Sequence, residues 1–309
     1  MSISIGSPQT LYILETVEGT SATPTSAHGI HDGIFEKMQI QITKEDLRNV
    51  GRNGITQRVN GQTVSTIPNG TLPSFGKQDV PMLLAAGFTS AAANTFILYA
   101  PDSTGADASR TSKKTLTVVQ YDGKNKFDLV GAKPSNMSLG VIDSKKIGWT
   151  IGLQGTGYQS ANTTMIKQTP LTSAATAVLK SAPLSVSGVS LPYSEATLDL
   201  GLTFEIGSGD ASRASGHRAF GEITSYDPKM TVTVFNEDSV IGLMNSYIND
   251  TSADVSWAYG SGTGNVYTWT FSGKFDSITG SMDGNLNTNS YTISPIAKAD
   301  GELLKLVIA

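Results

Sequence analysis

The chain has 309 residues, enough for two ordinary domains that each bury a core. Its charge is light and its net charge mild, at −4, which excludes tight nucleic-acid binding through phosphate neutralisation. It holds no cysteine, which excludes disulfides, thiolate nucleophiles and Cys-ligated metals. Abundant Gly, Ser and Thr lean toward β-structure with many turns. The charge is uneven. Residues 1–160 hold 14 Lys and Arg against 12 Asp and Glu, for +2, and residues 161–309 hold 8 against 14, for −6. The start MSISIGSPQT lacks a basic region followed by an apolar one, so no signal peptide is expected, and no apolar run is long enough for a membrane helix. The expectation is a protein made and folded in a cytoplasm.

Taken in chain order, SISIG is extended and apolar, a candidate arm or edge strand within residues 1–10. Met38, Ile40 and Ile42 alternate with polar residues and predict a strand with one buried face. Lys44–Gly61 reads as a long polar loop, returning through an extended segment to Pro68 and a strand at TLPSF. A short helix follows, with Asp79 as N-cap, Pro81 in the first turn and Gly87 as the stop. YDGKN marks a hairpin turn, and GWTIGLQG is an apolar strand. Residues 161–195 read as a linker or crossover with at most a short helix at AATAVLK.

The series then repeats. Leu198, Leu200 and Leu202 alternate, Glu205–Gly221 is a second polar loop, and MTVTVF is a strand. Asn236 or Asp238 caps a helix whose Val240, Met244, Tyr247 and Ile248 share a face. GSGTGN turns a hairpin, and the apolar ELLKLVIA, a second candidate arm or edge strand, ends the series. Residues 58–84 and 218–244 align at an offset of 160 without a gap, with eight of 27 positions identical, from Arg58/Arg218 to Leu83/Leu243. Random alignment would give roughly two. The predicted fold class is therefore mainly β with short flanking helices: two tandem β-sandwich or barrel domains, at 1–160 and 196–309. Phe75 and Phe235, with Leu83 and Leu243, are the expected core of each copy.

Catalytic signatures are missing. His28, His31 and Asp32 could ligate a metal, but a Gly-containing stretch without cysteines reads as a solvated loop. His217 reads as a polar contact residue. GLQGTGY and GSGTGN lack the Lys-Ser or Lys-Thr of a phosphate loop, and no GxSxG or HExxH occurs. Trp149, Trp257 and Trp269 could form a sugar-stacking platform, though strand-borne Trp belongs more often to a core or interface. No catalytic residue, cofactor or metal is assigned, and a non-enzyme is expected.

The layout of strand, long polar loop, strand pair, short helix and hairpins resembles the tail tube proteins of long-tailed bacteriophages. NGTLPSFGKQDVPMLLAAGF, FDLVGAKPSNMSLGV with GWTIGLQGTGY, and SYTISPIAKADGELLKLVIA carry the resemblance over most of the chain. It implies a structural virion protein, assembled in the host cytoplasm into the tail without membrane or cofactor. Its partners are then itself, in rings stacked as a hollow tube, and other tail proteins at the tube ends. DNA passes through the lumen during ejection without sequence-specific binding. In the family the long loop reaches a neighbouring ring or subunit, a role that falls here on Glu45, Asp46, Arg48, Arg52 and Arg58, and on Asp210, Arg213 and Arg218. Family rings are usually sixfold; two copies per chain favour a trimer of pseudo-sixfold symmetry over a hexamer. Two other readings stay open: a different tail or baseplate ring or adaptor protein, and a β-sandwich carbohydrate-binding or adhesive protein.

Overall fold

The computed structural model describes residues 9–25, 34–47, 57–73, 79–100, 114–121, 125–143, 146–160, 182–206, 221–235, 240–261, 265–283 and 286–309. The first half of the chain runs β1 (Gln9–Leu14), β2 (Ile34–Phe35), β3 (Gln39–Leu47), β4 (Gln57–Leu72) and helix α1 (Val80–Ala85). It continues through β5 (Thr89–Ala92), β6 (Thr95–Tyr99), β7 (Leu116–Tyr121), β8 (Lys126–Asp143) and β9 (Lys146–Ser160). The second half runs β10 (Leu184–Val186), β11 (Val189–Ser190), β12 (Tyr193–Asp199), β13 (Leu202–Ile206), β14 (Gly221–Tyr226), β15 (Lys229–Phe235) and helix α2 (Ile241–Ile248). It closes with β16 (Ala253–Gly260), β17 (Val266–Asp283), β18 (Leu286–Pro295) and β19 (Glu302–Ile308). The chain is mainly β, as composition and alternation predict, and every strand pair is antiparallel.

The pairing order is written twice. β1 pairs β7, β7 pairs β8, β8 pairs β9, β9 pairs β4, and β4 pairs β2. In the same sense β10 pairs β16, β16 pairs β17, β17 pairs β18, β18 pairs β15, and β15 pairs β12. Both β8 and β17 are 18 residues long, and each folds back directly into its hairpin partner. Two ladders join the series: β12 lies on β8, with Leu198 opposite Leu139, and β19 lies on β6, with Leu306 opposite Phe96.

One core cluster spans both series. Trp149 of β9 meets Trp269 of β17 edge to face at 5.7 Å, and Phe88 meets the same Trp269 at 5.8 Å. Aromatic pairs in this geometry contribute about 0.5–1.5 kcal/mol beyond their area burial. Leu83 and Leu243 are buried as expected, while Phe235 is half-buried and Phe75 lies outside the described residues.

Several expectations are corrected. Met38 is buried but Ile40 is exposed, so the alternation there does not mark one buried face. Residues 161–195 are not simply a linker: from Leu184 they carry β10, β11 and the start of β12, because Leu184, Val186 and Leu191 insert into the core. AATAVLK lies outside the described residues. ELLKLVIA is no free arm; β19 is held between β17 and β6 and buries Leu303, Leu304, Leu306 and Ile308. By pairing, the counterpart of GWTIGLQG in β9 is β18, with β19 continuing along β17 where β9 continues along β8. SISIG lies outside the described residues, and residues 9 and 10 belong to β1.

Helix α1 is stopped as its sequence requires. Gly87 takes φ 100°, a left-handed value that strains any side chain, and the N–H groups of Phe88 and Gly87 bond the carbonyls of Leu83 and Leu84. Asp79 stands at the N-cap position but makes no capping bond. Its carboxylate instead accepts the Tyr12 hydroxyl of β1. A Cβ on Gly87 would run into the Tyr226 hydroxyl of β14, so the end of α1 is also a contact across the two series.

Trp269→Ala should cost about 3–5 kcal/mol. Because both series share its contacts, denaturant unfolding followed by fluorescence and circular dichroism should show one transition moved to lower denaturant for both probes. Two separated transitions would contradict a shared core.

Candidate functional site

The expected contact residues belong to two hairpins. In the first, β3 and β4 stay in register from Gln39 opposite Thr66 out to Leu47 opposite Gln57, with a bulge between Ile42 and Lys44. The stretch read as a loop from Lys44 to Gly61 is therefore strand over Lys44–Leu47 and again from Gln57. The ladder sets Glu45 opposite Val59 and Asp46 opposite Arg58. The second hairpin runs from Leu202 opposite Tyr226 to Ile206 opposite Gly221, so Glu205 too is strand, opposite Glu222. Of the eight residues named, the described ladders bring together Asp46 and Arg58. Arg48, Arg52, Asp210, Arg213 and Arg218 lie outside the described residues, as do His28, His31, Asp32 and His217.

Behind the first hairpin the N-terminal strand is locked by buried polar groups. Glu15 directly follows the apolar run of β1 and is buried. It accepts the hydroxyls of Thr115 and Thr117 at 2.6 and 2.9 Å and the N–H groups of Gly19 and Gly131 at 2.6 and 2.8 Å. A buried carboxylate costs several kcal/mol unless its oxygens are met in this way. Gln120 of β7 donates to the Glu36 carbonyl and accepts the Met38 N–H at 2.9 and 2.8 Å, which ties the strand after β2 to β7. Sequence reading missed Glu15, Tyr12 and Gln120; an acid closing the apolar run TLYILE was the available signal.

A group of buried tyrosines surrounds this frame. Burial, and then the Asp79 carboxylate beside it, pushes the Tyr12 phenol well up. Burial and the field of Asp79 push Tyr267 up to about 12. Burial likewise raises Tyr259, against the opposing hydrogen bond from Trp269 at 3.4 Å. Raised values mean that these phenols stay neutral near neutral pH.

Two exposed features remain. Val240 and Leu243 of α2 are buried, whereas Ile241, Met244, Tyr247 and Ile248 are exposed; the expected single face of Val240, Met244, Tyr247 and Ile248 is corrected, because the helix docks by its Val240–Leu243 side. The far half of β17, from Lys274 outward, pairs β18 on one side and, among the described residues, no strand on the other. The tryptophans offer no sugar platform: all three are fully buried. Among the described residues no group of three or more His, Asp or Glu is placed to hold a metal.

Residues 9–299 match the family model described as phage tail tube protein. None of the curated proteins compared with the chain matches it.

The tyrosines set a pH limit. Their folded values are raised, so the stability they contribute is present below the unfolded value near 10 and is lost as pH rises through the folded values. Ultraviolet titration should show Tyr12 and Tyr267 ionising late, together with unfolding. Ionisation of all ten tyrosines near pH 10 in folded protein would contradict this.

Proposed function

Because the chain belongs to the phage tail tube protein family, we propose that it is the major tail tube subunit, a structural protein of the virion tail whose copies close into rings that stack into the conduit for DNA ejection. The family implies assembly with itself and a place in the tail. The observation that carries the finer reading is the pairing order written twice, β1–β7–β8–β9–β4–β2 and β10–β16–β17–β18–β15–β12. It supports a duplicated tube domain. The second copy then starts at β10, Leu184, ahead of the boundary at 196 read from sequence. Each chain supplies two sectors, and three chains close a ring of pseudo-sixfold symmetry.

The two hairpins are the proposed contacts to neighbouring rings or subunits. The ladders of β3–β4 and β13–β14 give each a stiff base, and the mixed charges of Glu45, Asp46, Arg48, Arg52 and Arg58, and of Asp210, Arg213 and Arg218, suit polar docking. The work of the tube is passage and not catalysis. Each phosphate gripped by Lys or Arg would add a counterion-release term that holds the duplex in place. A net charge of −4 suits an acidic or mixed lumen wall past which DNA slides without sequence-specific contact. Other tail proteins meet the tube ends.

Electron microscopy of concentrated purified protein should show long hollow tubes; a protein that stays monomeric at every concentration would contradict the reading. Replacing residues 48–56 by a short Gly-Ser turn should leave the protomer folded by circular dichroism and abolish tube growth. Tubes of unchanged length and yield would remove the hairpin tip from the contact.

A further inference from the structure

Of the two ladders that join the series, the β12–β8 joint has a counterpart position that no strand fills among the described residues. In the filled joint β12 lies along the far half of β8, past the end of β7, with Leu198 opposite Leu139 and Asp199 opposite Ser138. The Leu200 N–H extends it to the Met137 carbonyl at 3.0 Å.

The strand register locates the counterpart of each side. Leu198 pairs Met230, and Phe35 of β2 pairs Gly70; Met230 and Gly70 stand 160 apart, the offset of the aligned segments. The sizes are exchanged across the pair, since the Phe35 ring fills the space where a Cβ on Gly70 would stand. On the other side Leu139 pairs Trp149, which pairs Leu72, while Ile278 pairs Tyr291, which pairs Val232. Leu72 and Val232 again stand 160 apart. Phe35 is thus the counterpart of Leu198, and Ile278 that of Leu139. The sequence alignment alone would set Met38 against Leu198, three residues further on.

Burial differs between the two sides in the sense that a missing strand requires. Leu139 and Gly140 are buried and Ser138 is half-buried under β12; Ile278 is only half-buried, and Ser277 and Thr279 are exposed. β2 has β4 on one side and no strand on the other among the described residues. β17 beyond β16 likewise has no strand among the described residues on the side opposite β18. The two open edges belong to different series, and the chain already uses the other member of each pair to join them.

We propose that β2 of one chain lies antiparallel along the far half of β17 of a second copy of this chain, with Phe35 opposite Ile278 and Glu36 opposite Ser277. The bulge between Phe275 and Ser277 ends this register at Glu36 opposite Ser277. Alternation of the internal joint and this one closes a ring of whole chains without leaving either edge open to unspecific pairing. The inference rests on the tail tube reading.

Residues directly opposite in an antiparallel ladder have Cα atoms about 4.5–5.5 Å apart, within reach of a disulfide, and the chain has no cysteine of its own. Glu36→Cys chains and Ser277→Cys chains, mixed, assembled and mildly oxidised, should give covalent dimers that neither variant gives alone. Asp199→Cys with Ser138→Cys in one chain, which should close internally, confirms the chemistry. Tubes that form without the Glu36–Ser277 cross-link, while the control closes, would overturn this joint and leave the tube reading standing. Closure of a Glu36→Cys, Ser277→Cys double variant within its own chain would overturn it too. Failure of the unaltered protein to self-associate would remove the tube reading and this joint together.

Discussion

Trp149 and Trp269 meet edge to face in the shared core, one from each series of strands, and the arrangement around them depends on that contact being dry. Phe88 at the end of α1 packs on Trp269, and Tyr259 stacks on Tyr267 at 5.3 Å in the same core. The ladders β12–β8 and β19–β6 hold the two series in the register that this packing needs. A strand edge left bare is an aggregation hazard, and each of these ladders removes one by pairing it with the other series. Pairing across the series thus serves stability first: the second series supplies strands that cover edges of the first.

The same geometry bears on assembly. A closed ring requires each unit to present the same kind of joint to the next, and a chain with two similar units satisfies half of its joints within itself. Rigid protomers suit such a device. The buried Glu15 with its four donors, the Tyr12–Asp79 bond and the Gln120 bridge fix β1, α1 and the strand after β2 relative to one another. On the proposed reading these bonds position the edge that meets the next chain.

Much of the fold was legible in sequence because its signals are local. Alternation marked the strands, Gly marked the hairpin turns, and Pro81 with Gly87 bounded α1 to within a residue. What failed was long-range. Asp79 was read as a cap because capping is a local pattern, whereas its partner Tyr12 lies 67 residues away. Lys44–Gly61 reads as a loop because it is polar, yet backbone pairing continues the β3–β4 ladder out to Leu47 opposite Gln57. ELLKLVIA was read as a possible arm because apolar terminal strands look alike whether free or inserted; only its pairing with β17 and β6 makes it interior. The offset of 160 held for β4 against β14–β15 and for the helices, but β2 against β12 needs three more residues, a shift that only strand register reveals. Of the eight proposed contact residues, sequence could name the charged types, and the ladder could pair Asp46 with Arg58.

The central claim is that one chain supplies two neighbouring sectors of a ring. The most direct measurement is the number of chains per ring, from an averaged reconstruction of assembled tubes without imposed symmetry above threefold. The account predicts three chains, with six similar sectors alternating between the first and second series of strands. Six whole chains per ring, each joint alike, would contradict it.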